Sequence, residues 1–330
     1  MPDRPLLTMA IPTWNRAPEL AGLLEVLLGE LRHEPRVELV VSDNASTDGT
    51  AELLADYQGR GLEMRILRNE ANIGADRNIL QCFEQARGKY VWIFSDDDLI
   101  ERGSMGRVMR SLSGREYDLV GIRYYSFAGE YRDHRKYRPT SDQEYSRTED
   151  LAAQMHVFFT FISGIIVNKE RIEAEPHRPF ASLVGTNLVQ LGPYFLALNR
   201  HRRSLLIRDP IIAARSNVSV GYALYRVFGP NMRRIADDWV ESPRVRSAIT
   251  GGTLRVFFPF WIMRGRQSHV SSVTEDPHEV LSASFKDDAR YWIFDYPIYS
   301  LPLPLARLWL FGIRVTNKLN RIIMDARASL

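Results

Sequence analysis

The sequence is short of the features that staple a chain, anchor it in a membrane or bind it to nucleic acid. It has one cysteine in 330 residues, Cys82, so no internal disulfide forms and a reducing compartment suits it. A lone cysteine in a helical, apolar stretch reads as a small buried hydrophobe. No run approaches the ~18 consecutive apolar residues that a membrane span needs. The start, Met1-Pro2-Asp3-Arg4-Pro5, lacks the apolar core of a secretory signal, so the chain is expected in the cytoplasm. Net charge is also small. With 43 basic and 40 acidic residues the formal balance is +3, too little to argue for nucleic acid. Hydrophobic residues make up 45% and charged residues 25%, an ordinary globular composition that excludes wholesale disorder. A chain of this length forms one elaborate domain or two closely packed ones.

What is present is a regular alternation over the first 100 residues. The apolar run Leu6–Ile11 ends at Pro12-Thr13-Trp14-Asn15-Arg16, and Ala17–Leu31 then carries leucines 20, 23, 24, 27, 28 and 31 at helical spacing. Val37–Val41 is a second strand, running into Ser42-Asp43-Asn44-Ala45-Ser46-Thr47-Asp48-Gly49-Thr50. Thr47 or Asp48 is the expected N-cap of a helix reaching Tyr57. Met64–Leu67 is a third strand, followed by a helix over Ala75–Ala86 with Gly88 as its stop signal. Tyr90–Phe94 is a fourth, apolar strand that delivers Ser95-Asp96-Asp97-Asp98. Such alternation predicts a parallel α/β sheet with right-handed crossovers, its polar loops gathered on one edge where a ligand lies.

The chemistry of that edge suits a nucleotide and a cation. Three adjacent carboxylates repel one another and lose solvation when buried. Mg²⁺ or Mn²⁺ relieves that conflict, because both prefer hard oxygen ligands and leave positions open for phosphate oxygens. Asp43 follows its strand directly, where a carboxylate accepts a pyrimidine N–H. Trp14 offers a face for base stacking, and Arg77 reaches a base or phosphate. Taken singly, each has a structural reading of equal weight: a turn cap, a packing ring, a solvated helix residue. Together on one edge they favour a site.

Four segments carry a family resemblance: Ile11–Arg16, Val40–Thr50, Asn72–Asn78 and Ser95–Asp98 resemble, in order and spacing, the family 2 glycosyltransferases. The likeness is good over roughly residues 5–112 and fades toward residue 170. It implies the GT-A fold, a Rossmann-like, mostly parallel sheet flanked by helices, here with a C-terminal helical extension. It also implies a nucleotide-sugar donor and Mn²⁺ or Mg²⁺. By this resemblance Asp43 holds the base beside Pro12, Thr13 and Trp14, while Asn15, Arg16, Asn72, Gly74 and Arg77 belong to the same nucleotide site. Asp96 lies near the ribose or the metal's waters, and Asp97 is the main metal ligand. Ser95 stands where the common Asp-x-Asp-Asp form begins, which leaves the metal assignment open between Asp97 and Asp98. The Ser-Asp-Asp-Asp variant looks most like transferases that build bacterial surface polysaccharides, the abequosyltransferase-like group among them. UDP is the first expectation for the base, with CDP, GDP and dTDP open, and the acceptor is a saccharide or a polyprenyl-linked one. The implied division is a nucleotide-sugar half over residues 1–112, an acceptor half over 113–250 and a helical extension over 251–330.

The acceptor half departs from the family. Glu116–Ile122 reads as a strand, and Ser126–Ser146 as a polar loop whose Arg132, Arg135, Lys136 and Arg138 suit a basic lid or plain solvation. Phe158–Val167, with Ser163-Gly164 inside, resembles the strand that lines the acceptor side. Shortly after it the family usually places an acid as general base, but Pro176–Arg208 has no Asp or Glu, and Thr186-Asn187 stands near that point. Asp209, Asp237 and Asp238 are the remaining candidates for the base of an inverting reaction. A retaining reaction that uses the leaving phosphate is the other route, and a non-catalytic donor-binding scaffold is the alternative function. A sugar-nucleotide pyrophosphorylase is disfavoured, since Leu6–Arg16 lacks its Gly-rich basic loop. Arg215, in a basic stretch, is placed by the resemblance near the donor phosphates.

From Leu303 the tail reads as an amphipathic helix, with Leu305, Leu308, Trp309, Ile313, Leu319, Ile322 and Ile323 mainly on one side and Arg307, Arg314, Lys318 and Arg321 on the other. The last 30 residues carry five positive charges, Arg327 included, against Asp325. This suits a peripheral helix on the inner face of the cytoplasmic membrane. Packing on the catalytic domain or across a homo-oligomer interface is the other use of such a face.

Overall fold

The computed structural model describes residues 4–129, 131, 141–174, 176–216, 223–267 and 275–327, the side chains of 321–327 excepted. Arg132, Arg135, Lys136 and Arg138 lie outside the described residues, as do the side chains of Arg321, Ile322, Ile323, Asp325 and Arg327. The chain forms two compact units, Met1–Ser146 with Phe159–Val218, and Arg147–Phe158 with Ser219–Leu330.

The first unit is a nine-stranded sheet. In chain order the strands are β1 (Leu7–Thr13), β2 (Val37–Asp43), β3 (Arg65–Arg68), β4 (Tyr90–Ile93), β5 (Leu99–Ile100), β6 (Leu119–Phe127), β7 (Gln143–Tyr145), β8 (Ile165–Asn168) and β9 (Ser204–Arg215). Four helices accompany the first of them: α1 (Ala17–Glu30), α2 (Thr50–Gly59), α3 (Ala75–Gln85) and α4 (Ser104–Gly114). Across the sheet the order is β3-β2-β1-β4-β8-β6-β9-β5, with β7 also on β9. β3, β2, β1 and β4 run parallel; β8 is antiparallel between β4 and β6, and β9 returns parallel to β6.

Burial on both faces explains the apolar strands. In β1, Met9 and Ile11 join Leu20, Leu23, Leu24 and Leu27 of α1 in the main core. The intervening Ala10 packs with Val40 and Cys82 of α3 on the opposite face. Cys82 is thus the buried hydrophobe expected, and burial pushes its thiol up to about 12.

Several expectations need correction. The N-cap of α2 is Gly49, at φ 90°, and not Thr47 or Asp48. Asp48 instead accepts from the Thr50 hydroxyl (2.6 Å) and, with its other oxygen, from the Ala17 N–H at the start of α1 (2.9 Å). Gly88 is not a helix stop, because α3 has already ended at Gln85. It is a close-approach glycine: a Cβ there lies 2.5 Å from the Thr8 nitrogen. β6 starts at Leu119 and not Glu116, and extends to Phe127 because it pairs with β9 along that length. Phe158–Val167 is not one strand. Short 3-10 turns cover His156–Thr160 and Ile162–Gly164 before β8, and there the Ser163 carbonyl accepts the Trp92 indole N–H (2.7 Å) instead of a ladder bond.

The second unit is helical. Its core gathers Leu254, Phe258, Ile262, Leu281, Phe285 and Tyr291, among others, and the C-terminal helix Leu303–Arg327 packs on it through Ala306, Leu310 and Ile313. Of the face expected to act as one apolar side, Ile313 alone among the described side chains is buried; Leu305, Leu308, Trp309 and Leu319 are exposed.

Candidate active site

The parallel strands bring their C-terminal ends to one edge, and hydrogen bonds between side chains and backbone lock the loops there. Thr13 and Asp43 are register partners at the ends of β1 and β2, with Pro12 opposite Ser42. Asn15 takes a left-handed conformation (φ 51°). Its amide donates to the Ser46 hydroxyl (2.9 Å) and its side chain accepts the Thr47 N–H (2.8 Å), so the first two loops are tied together. Asp43 is buried; one oxygen accepts the Ser46 N–H (2.9 Å), and the other lies 3.8 Å from Arg68. Trp14, by contrast, is 51% exposed, which leaves a ring face open beside this buried carboxylate's loop.

The third loop is clamped by asparagines. Asn44 donates to Asn72 (2.8 Å) and accepts from the Ile73 N–H and from Asn69 (both 3.0 Å). The Asn72 side chain also accepts the Gly74 N–H (2.8 Å), and Gly74 sits at φ 87°, ψ 157°, a region suited to glycine. Asn72 and Gly74 therefore shape the loop from which α3 starts. Arg77, on the first turn of α3, is exposed and pairs with no other described residue. Its neighbour Asp76 turns inward and accepts the N–H groups of Gly185 (2.7 Å) and Asn187 (2.9 Å).

At the end of β4 the three carboxylates are 6%, 7% and 3% exposed for Asp96, Asp97 and Asp98. Asp97 accepts from the Ser95 hydroxyl (2.6 Å) and from Arg16 (2.6 Å), with Asp96 3.5 Å from the same guanidinium nitrogen. Burial alone lowers the Arg16 pKa, but Asp96 and Asp97 outweigh it and hold the guanidinium above its ordinary value. Asp98 has both oxygens engaged, one by the Ser163 hydroxyl (2.6 Å) and one by the Arg215 N–H (3.0 Å). The Arg215 guanidinium lies over the Phe127 ring, 4.8 Å from its centroid, and donates to the Gly129 carbonyl (3.3 Å). Burial pushes the Asp96 carboxyl up to about 7, Arg16 opposing the rise. Asp98 also rises to about 7, through burial and then the charge of Asp97. These are hard oxygen donors short of positive charge, the chemistry that a divalent cation satisfies. Among the described residues no group of three or more His, Cys, Asp or Glu side chains is arranged to hold a metal ion. A Mg²⁺-type site that keeps waters and phosphate oxygens needs only one or two carboxylates.

Nucleotide-site candidates from all four segments thus meet on this edge, with Arg215 added from β9. Of the three candidate bases, Asp209 lies in β9. Asp209 is held by Arg107, while Asp237, in the second unit's helix Met232–Trp239, lies 3.7 Å from Arg233 and 3.9 Å from Arg246; Asp238 is on the same helix. Sequence reasoning assigned no role to Ser163, Asp76 or Asn44. The signal was a polar residue in an apolar segment for Ser163 and a place inside a recognised motif for the other two.

The glycosyl transferase family 2 model matches residues 8–173. Among curated proteins, abequosyltransferase RfbV of Salmonella typhimurium is 30% identical over 202 residues, 55% of this chain and 58% of that relative, so the match spans little more than half of the relative's length. Among solved structures, S. aureus TarS in complex with UDP-GlcNAc superposes with a TM-score of 0.62 at 17% identity, over 93% of this chain and 88% of that one. The mannosyltransferase PcManGT of Pyrobaculum calidifontis, in complex with GDP-Man and Mn²⁺, gives 0.54 at 17%, over 99% and 85%. At these identities the likeness establishes a fold, and that fold is GT-A.

Proposed function

The chain belongs to glycosyl transferase family 2, and from that premise we propose that it is a metal-dependent glycosyltransferase. It moves a sugar from a nucleoside diphosphate to a saccharide or lipid-linked saccharide acceptor in surface polysaccharide synthesis, with inversion. The observation that carries this reading is the trio of buried carboxylates at the sheet's C-terminal edge with a single guanidinium, Arg16, ion-paired to two of them. The donor half falls within residues 1–112, joined by Arg215. Trp14 and Asp43 hold the base, UDP being the first choice; the structural neighbours were solved with UDP-GlcNAc and GDP-Man. Arg77 and Arg215 serve the diphosphate.

Asp97, helped by Asp96, holds Mn²⁺ or Mg²⁺, and Asp98 anchors the motif to β9. When bound, the cation stabilises the charge that develops on the leaving diphosphate. The protein's own part is to orient base and diphosphate, through Trp14, Arg77 and Arg215 carried on an edge whose loops are tied together by the bonds described above.

A non-catalytic donor-binding scaffold is the second reading. It draws on the segment where the family usually carries its base: Pro176–Arg208 supplies no acidic residue of its own, and the Gly185–Asn187 backbone is held by Asp76. Turnover separates the two. With Mn²⁺, UDP-, GDP-, CDP- and dTDP-sugars should give a metal-dependent thermal shift for one nucleotide class, and hydrolysis or transfer of that donor should fall at least a hundredfold in Asp97→Ala. Binding without turnover on any acceptor supports the scaffold, and indifference to every donor removes both.

A further inference from the structure

The C-terminal helix Leu303–Arg327 has three faces along its described side chains. At about 100° per residue, Ala306, Leu310 and Ile313 form one stripe and are buried in the second unit's core. Arg307, Arg314 and Lys318 form a second, exposed stripe. Leu305, Leu308, Trp309, Phe311, Val315 and Leu319 form a third, each between 42% and 66% exposed.

Both outer stripes continue beyond the helix. The apolar one runs into Ile293, 50% exposed, and into a groove of about 440 Å³ lined by Ile293, Leu301, Leu305, Leu308 and Trp309, among others. Trp309 is fixed in place, its indole N–H donating to the Ile293 carbonyl (2.8 Å). The basic stripe borders a second groove of about 450 Å³, where Arg264, Arg307 and Arg314 stand beside Phe260 and Phe311. Residues 253–267 and 303–320 together contain six basic residues and no acidic one.

A contiguous apolar surface of this kind is an interaction site. Its occupant has to take apolar side chains at shallow depth and carry negative charge alongside them. A second copy of this chain fits poorly, since a two-fold contact sets Arg307, Arg314 and Lys318 against themselves and neither segment offers a carboxylate in reply. An anionic phospholipid surface meets both demands. Leu308 and Phe311 enter the acyl boundary, Trp309 lies at headgroup level, and the arginines meet phosphates.

We propose that this face of the second unit docks on an anionic bilayer surface, with the helix lying in the plane of the membrane. No described helix is long and apolar enough to cross it. The proposal stands apart from the sugar-transfer reading, because it uses none of the first unit's residues.

Sedimentation of the full chain with phosphatidylcholine vesicles, with and without phosphatidylglycerol, tests it. Binding is expected on the anionic vesicles alone, released by high salt. Arg307→Gln with Arg314→Gln should weaken the partition roughly 30-fold, at about fivefold per basic residue. Leu308→Gln with Phe311→Gln should abolish it, and unchanged melting temperatures would show that both variants fold. Brominated lipids should quench a tryptophan signal that Trp309→Phe removes. Equal binding to both vesicle types, no binding to either, or a solution dimer that Leu308→Gln with Phe311→Gln dissociates would overturn the proposal.

Discussion

Replacing Asp98 by asparagine should make the metal-free protein more stable at neutral and alkaline pH. Asp98 is 3% exposed, and burial together with the charge of Asp97 raises its carboxyl from 3.8 to about 7. That distance corresponds to about 4 kcal/mol of penalty for the ionised form in the folded protein. Between those two values the folded protein keeps a proton that the unfolded chain has released. This contribution to stability therefore falls as pH rises from about 4 to about 7, and stays low above. An asparagine carries no charge in either state and escapes the loss. The amide oxygen still accepts the Arg215 N–H, and its NH₂ donates to the Ser163 hydroxyl, which goes on accepting the Ser95 N–H.

The expected gain for Asp98→Asn is on the order of 4 kcal/mol at pH 8, narrowing to about 2 at pH 5. For a unit of this size it should appear as a rise of about 10 °C in melting temperature at pH 8. Asp97→Asn is the contrast. It weakens the 2.6 Å ion pair that holds Arg16, and should lower stability at pH 8. Chemical denaturation of both variants across pH 5 to 8, in the presence of chelator, reads the effect. No gain for Asp98→Asn at pH 8, or a gap that widens toward acid, would refute the account of the acid cluster.

Three further outcomes follow from named contacts. Ser163→Ala removes the hydroxyl that donates to Asp98 and accepts the Ser95 N–H, leaving a buried carboxylate oxygen and a partly buried N–H unpaired, and should cost about 2–4 kcal/mol in urea melts. Gly88→Ala drives a Cβ to within 2.5 Å of the Thr8 backbone nitrogen, and should destabilise by about 2 kcal/mol or more, whereas the same change at exposed Gly59, where a Cβ meets nothing, should be nearly neutral. If Trp14 stacks on the base as proposed, Trp14→Ala should weaken calorimetric binding of the preferred nucleoside diphosphate with Mn²⁺ roughly 5- to 30-fold at unchanged melting temperature, the ring being half exposed.

The first hundred residues were legible because their signals are local. The leucines of α1, the β-branched strands and the loops between them carry periods of 3.6 and 2 that depend on near neighbours in sequence, and the four recognised segments lie where strands end. Legibility failed where a residue's role is set by a partner far along the chain. Gly88 has the form of a helix stop, yet its place is fixed by the Thr8 backbone 80 residues earlier. Phe158–Val167 has strand composition, yet Ser163 is drawn out of the ladder by Trp92, Ser95 and Asp98.

Sequence by itself determined the family, the alternating first half, the loops that meet at one edge and the presence of an acid cluster there. All of these follow from residue type and short-range spacing. Tertiary structure alone decided the electrostatic state of that cluster: which carboxylate Arg16 neutralises, which one Ser163 and the Arg215 amide hold, and how far burial raises Asp96 and Asp98. It likewise decided that the apolar residues of the C-terminal helix divide between a core face and an exposed one. The physical reason is common to both. Desolvation and packing depend on what comes to cover a side chain, and most of those covering residues arrive from distant parts of the sequence.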